Sequence, residues 1–356
     1  MPTILLVVLL AVRSAAVPRA PGPATVPAAA VAPSAAAPHD GSGGADASPD
    51  RADTSWWAPG DSSVVSSLPG VLRASAVVVT RGDGRGQALE PAGVAVDAFG
   101  RIVVADGALH RLHRFEDDGR WLGESGSLGS DPGQLRRPGS VAMLGALTVA
   151  VLDRENRRVE GYDLFGRRLG TIIDLLSSTL SGSLGRVDPA ALAADRSQTL
   201  YVADVDADRV LVFDGSGRYL RTLGGFGARP GSFRGLAGLT TGPRGEIVTA
   251  ERGNARVQRL DAAGRVVAWW AIPVGRNAGA LAVAVDDSGR VAVADEAAGR
   301  LWLFTPDGRP WAALGGLERP RALAFAPDGT LLVAEAGRGE VRRWALVRAR
   351  PSNREE

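Results

Sequence analysis

The sequence predicts an all-β fold: a six-bladed β-propeller of four-stranded antiparallel blades, closed by an N-terminal strand that completes the last blade. Three observations predict it. A short apolar strand ending in an acidic residue recurs six times, with the acids at 106, 153, 204, 251, 295 and 335. The intervals of 47, 51, 47, 44 and 40 residues match one four-stranded propeller blade each. An unclaimed strand, Ala74–Arg81, precedes the first copy, while the last copy stops after its third strand at Trp344.

The elements follow in chain order. Ile4 to Val12 is a nine-residue apolar run followed by Ser14-Ala15-Ala16, the h-region and small-residue cleavage site of a signal peptide, although Met1-Pro2-Thr3 carries no Arg ahead of it. A core segment or a misplaced start codon is the alternative. Nine residues fall short of the roughly 20 needed to span a bilayer. Residues 1–16 are therefore expected to direct export, to the periplasm or beyond. Residues 17–55, Ala/Pro-rich and then Gly/Ser/Asp-rich, lack the periodicity and apolar content that pack a core, and are expected to form a flexible tether. The propeller is assigned to 56–350, and 351–356 form a tail; Trp56-Trp57 are read as a plug docked on the rim ahead of the alternative, an exposed recognition patch.

Offsets inside the repeat are stricter than its period. Five residues after the acid stands Arg111, Arg158, Arg209, Arg256 or Arg300, with Glu340 the sole departure. Nine after it comes Phe115, Tyr162, Phe213, Leu260, Phe304 or Trp344, and thirteen after it, in five units, a Gly followed by Arg. Each unit parses into an inner strand such as 91–97, a second strand ending at the acid, an alternating third strand such as Arg209–Phe213, a Gly-containing hairpin turn and a fourth strand such as Tyr219–Leu223. The connection from Asp174 to Asp188 is longer and Ser/Leu-rich, readable as a contact loop or as a short covering helix.

Composition removes several chemistries. The 356 residues contain no Cys and no Lys, so thiolate nucleophiles, Cys-ligated metals, Schiff bases and a P-loop lysine are all unavailable. Formal charge is only +2. The isoelectric point of 9.6 reflects the scarcity of groups titrating below the Arg range, and does not demand a nucleic-acid partner. No Gly-x-Ser-x-Gly elbow supports a Ser-His-Asp triad in the folded part.

The strand-Asp-x4-Arg-x3-aromatic pattern, with Gly126–Leu135 followed by Pro138 and with Gly227–Phe233, resembles the repeat and inter-blade signature of NHL-repeat propellers over roughly residues 74–347. Trp-Asp strand ends and kelch Gly-Gly pairs do not recur. The resemblance implies a six-bladed disc whose second-to-third-strand and blade-to-blade loops open on one face. Related lyases of propeller fold use His-ligated zinc, a set that His39, His110 and His113 cannot supply. Gluconolactonase-like propellers hold Ca²⁺ through scattered Glu, Asn and Asp, and Asn156, Asn254 and Asn277 fall in inter-strand loops here.

The candidate ligand-binding face comprises Asp106, His110, Arg111, Asp153, Arg154, Arg158, Asp204, Arg209, Glu251, Arg252, Arg256, Asp295, Arg300 and Glu335. Because the acid and its Arg recur blade by blade, a structural role closing each loop is weighed ahead of ligand binding. No catalytic residue is assigned. The expected function is that of an exported, monomeric binding or scaffold module for a protein, peptide or glycan, without cofactor, transmembrane span or nucleic-acid partner. A Ca²⁺-dependent hydrolase or lyase is the first alternative and RNA binding the second, the latter at odds with export.

Overall fold

The computed structural model describes residues 68–274 and 279–349. The expected signal peptide and tether, His39, Trp56-Trp57, Asn277 and the 351–356 tail lie outside the described residues.

Six sheets form the predicted ring. Blade 1 is Pro91–Val96, Ile102–Asp106, Arg111–Phe115 and Trp121–Ser125; blade 2 is Pro138–Leu144, Thr148–Asp153, Arg158–Asp163 and Arg168–Asp174. Blade 3 is Pro189–Ala194, Leu200–Asp204, Arg209–Phe213 and Tyr219–Gly224; blade 4 is Leu236–Thr241, Ile247–Glu251, Arg256–Leu260 and Val266–Ala271. Blade 5 is Leu281–Val285, Val291–Asp295, Arg300–Phe304 and Pro310–Leu314. Blade 6 takes Pro320–Phe325, Leu331–Glu335 and Glu340–Arg348 from the C-terminal end, and its fourth strand is Gly70–Arg81, antiparallel to Glu340–Arg348 with Leu72 opposite Leu346. The six first strands touch one another in a closed cycle, so blade 6 abuts blade 1 around a common axis.

Local sequence explains the blades. Apart from Thr148 at the start of that of blade 2, the second strands are buried along their whole length, consistent with their Val/Ala/Leu runs, because neighbouring blades cover both faces. Between blades the +9 aromatics Phe115, Phe213 and Phe304 are at most 1% exposed, as is Trp302. Burying one such side chain contributes about 1.5–3 kcal/mol. The +13 glycines close the third-to-fourth-strand turns at φ of 84–90°, a region unfavourable to side chains. Near the axis the blades approach so closely that a Cβ on Gly93 would lie 1.9 Å from the carbonyl oxygen of Gly139. The Asp174–Asp188 connection contains a short helix, Ser178–Leu184, whose Leu180 and Leu184 pack on the core between blades 2 and 3. Of the two readings of this segment, the covering helix holds.

His113, in the third strand of blade 1, is fully buried, and neither ring nitrogen has a hydrogen-bond partner among the described residues. Burial foremost, and then the charge of Arg111, lower its pKa, outweighing Asp106 and a Glu124 carboxylate 4.0 Å away. The unfolded chain binds a proton here below about pH 6.5 while the folded chain resists it. Stability at this site is therefore complete above about pH 6.5 and falls as the pH drops below it, levelling off at the lower folded pKa. Thermal melts between about pH 8 and 5 are expected to show this slope. His113→Leu, which copies Leu211 at the equivalent position of blade 3, should flatten it.

Candidate functional site

The repeated acids are sequestered. Asp106, Asp153, Asp204, Glu251, Asp295 and Glu335 are at most 1% exposed. In five blades the carboxylate accepts a backbone N–H from the residues just ahead of the first strand. The donors are Leu89 (2.7 Å) and Glu90 for Asp106, Arg136 (2.6 Å) for Asp153, Asp188 (3.0 Å) for Asp204, Arg234 (3.1 Å) for Glu251, and Glu318 (2.8 Å) for Glu335. Asp295 accepts N–H groups of its own loop, from Ala297 and Ala298. Each carboxylate thus stands where an orphan buried N–H would otherwise go unsatisfied.

The +5 arginines extend the clamp outward. Arg158, Arg209 and Arg256 each place Nε 2.8 Å from the acid of their blade. Their remaining N–H groups reach the blade-to-blade connection: Ser130 and Gln134 carbonyls for Arg158, Leu184 for Arg209, and Ala228, Arg229 and Ser232 for Arg256. Asn156 and Asn254 donate to Asp153 and Glu251, so neither loop asparagine is spare. Burial raises the Asp153 pKa, and hydrogen bonds from Asn156, the Arg136 amide and Arg158 counter that rise.

Blades 1 and 6 depart from the acid–Arg pair of blades 2, 3 and 4. Arg111 ion-pairs with Glu124 (3.2 Å) and donates to the Asp83 carbonyl, leaving Asp106 to backbone donors alone. In blade 6, where Glu340 replaces the +5 Arg, Arg338 takes over: it contacts Glu335 at 3.0 Å and the Gly316 carbonyl at 3.2 Å. Arg300 sits in third-strand register opposite Asp295. His110, at φ 56°, accepts the Arg137 N–H on Nδ1 (3.0 Å) and fixes the entry to blade 2.

The accessible part of this face is an axial cavity of about 530 Å³. Its walls are the second and third residues of the six first strands, mostly small: Ala92, Gly139, Ala190, Ala237 and Ala282. Around the mouth, in five of the six blades, the residue that directly follows the acid lines the cavity: Gly107, Arg154, Val205, Arg252 and Glu296. Of the expected face residues, therefore, Arg154 and Arg252 reach the cavity, whereas the six acids stand behind it.

Residues that sequence reasoning did not single out complete the mouth. Arg321, the one large residue at its wall position, is held between two blades' carboxylates, by Glu90 and by Glu296 (2.8 Å). Arg319 reaches Glu296 at 3.0 Å and Arg137 reaches Glu90 at 2.9 Å. Arg137 and Arg319 hold φ of 48° and 53°, where blade 4 uses Gly235 at 63°. Retaining a side chain in that strained region, at a cost of order 1 kcal/mol, is what a charge needed at the mouth would entail.

A Ca²⁺ centre would need several free oxygen ligands at such a mouth. Glu90 and Glu296 are already engaged by arginines, and among the described residues no three His, Cys, Asp or Glu gather at metal-ligating range.

No protein-family model matches the chain. One stretch is similar to Protein brain tumor of Drosophila melanogaster, 29% identical over 144 residues, which is 39% of this chain and only 13% of that protein. Among solved structures, virginiamycin B lyase from Staphylococcus aureus superposes with a TM-score of 0.57 at 11% identity, covering 78% of this chain and all of the other. A gluconolactonase from Xanthomonas campestris gives 0.54 at 14% identity, covering 73% and 87%. At such identities these likenesses establish the propeller fold and nothing finer.

Proposed function

We propose that this chain is an exported propeller of the NHL type that binds a protein, peptide or glycan ligand at the axial mouth, without chemistry of its own. The observation that carries the reading is the division of labour within the repeat. The recurring acid is buried in loop closure in every blade, while the residue after it ranges over Gly, Arg, Val and Glu in the five blades where it lines the open cavity. Invariance serves the blade; variation at an exposed ring is what a particular ligand requires. The NHL assignment rests on the repeat pattern and on the local similarity to the Drosophila protein. Export rests on the N-terminal apolar run.

A thermal-shift panel of peptides and oligosaccharides on the full chain tests the reading. A ligand at about 100 times its Kd should stabilise the fold by about 2.7 kcal/mol. Ala190→Trp, which fills the mouth from its blade 3 wall, should abolish that shift with little change in the unliganded melting temperature. A ligand whose shift survives Ala190→Trp would place binding elsewhere and contradict the proposal.

A further inference from the structure

The charges of the mouth are unevenly spent. On the side of blades 5, 6, 1 and 2, Glu296, Arg319, Arg321, Glu90 and Arg137 close into one ion network. On the side of blades 2, 3 and 4, the Arg154, Asp188 and Arg252 side chains line the cavity without a hydrogen bond or ion pair among the described residues. Asp206 has only a 3.7 Å contact with Arg186 in which both partners are largely exposed. Arg154 and Arg252 are exposed, and Asp188 is half-buried at the cavity. Around the axis this side therefore reads cation on blade 2, anions on blade 3, cation on blade 4.

Resting on the mouth-binding reading above, we infer that blades 2 to 4 recognise a mixed-charge peptide in which a basic residue lies between two acidic ones. Arg154 and Arg252 pair with the acids, and the carboxylates of Asp188 and Asp206 pair with the base between them. A guanidinium offers a carboxylate two parallel N–H donors, so each arm can fix direction as well as charge. Two features select a peptide of this pattern. Asp188 and Asp206 repel a polyanion such as nucleic acid from the gap between the arginines. Among the described residues no aromatic side chain lines the cavity, so they offer no stacking platform of the kind nucleobases and sugar rings use. The small wall residues bring first-strand backbone close to the axis, where an extended peptide can exchange main-chain hydrogen bonds with it.

The test is fluorescence anisotropy on the full chain at low salt, with three labelled probes of equal length: a Glu-Lys-Glu core, its inverse Lys-Glu-Lys, and a Glu-Glu-Glu core. The Glu-Lys-Glu probe should bind at least about 10-fold tighter than either of the others, the product of several exposed charge pairs. In Arg154→Glu/Arg252→Glu the preference between the first two probes should shrink or invert, while the melting temperature stays close to the parent. Equal binding of all three, an unchanged preference in the double variant, or no binding of any probe at about 1 mM would each overturn the inference. If a probe binds without charge preference but is lost in Ala190→Trp, the charge order is wrong and the mouth remains the site. If binding survives Ala190→Trp, the mouth reading fails as well.

Discussion

A chain that starts after Arg81 is expected not to fold. Its sixth blade would lack Gly70–Arg81, and the Glu340–Arg348 strand would lose an antiparallel partner along its length. Leu72, Val78 and Val79 of the missing strand are each no more than 9% exposed and pack into two separate inter-blade cores. At about 1.5–3 kcal/mol for each, their loss is comparable to the whole net stability of about 5–15 kcal/mol for a domain. The deletion also exposes a long strand edge, the template for intermolecular pairing that ring closure hides. Size-exclusion chromatography and near-UV circular dichroism should find aggregated material without a fixed aromatic signal. A monomer with the parent melting temperature would show that the strand only decorates the ring.

The second large effect is expected at Glu251. Its carboxylate accepts from the Arg234 amide, Asn254, Gln258 and Arg256, and Arg256 is itself only 5% exposed. Glu251→Ala leaves a buried guanidinium without its counter-charge and several donors without an acceptor. Breaking such a buried pair from one side costs about 3–5 kcal/mol. For a domain of this size that lowers the melting temperature by about 10 °C, at roughly 2–4 °C per kcal/mol. Glu251→Gln should lose less, because one amide oxygen still accepts. Melting curves of the two variants against the parent read this directly; an alanine variant within a degree or so of the parent would exclude the clamp.

The fold was legible because the repeat fixes several offsets at once: acid, +5 Arg, +9 aromatic and +13 Gly each answer a separate requirement of a blade. Where one requirement was met by a different residue, the pattern misled. Blade 6 lost its +5 Arg to Glu340, and Arg338, two residues earlier, restores the contact because its side chain can reach Glu335 from within the turn. Arg111 kept the position but turned to Glu124, an acid on the neighbouring fourth strand that no offset marks. The mouth was the least legible part. Arg321, Glu90, Arg137 and Asp188 occupy positions that vary between blades, so no periodic signal points to them, and only ring closure brings residues 90 and 321 together. Arg154 and Arg252 belong to the expected ligand-binding face together with the acids they follow, and the structure separates them from those acids by role.

That separation can be measured without knowing the ligand, by differential scanning calorimetry of Asp153→Ala and Arg154→Ala side by side. Asp153 is fully buried and bonded to Asn156, Arg158 and the Arg136 amide, whereas Arg154 is exposed at the cavity. The account predicts a loss of several degrees for the first. For the second it predicts a change within about 0.5 kcal/mol, the ordinary range for a surface site. Equal losses at the two adjacent positions would mean that the arginine also holds the blade together, and the mouth would lose its claim to be the part of the repeat set aside for a ligand.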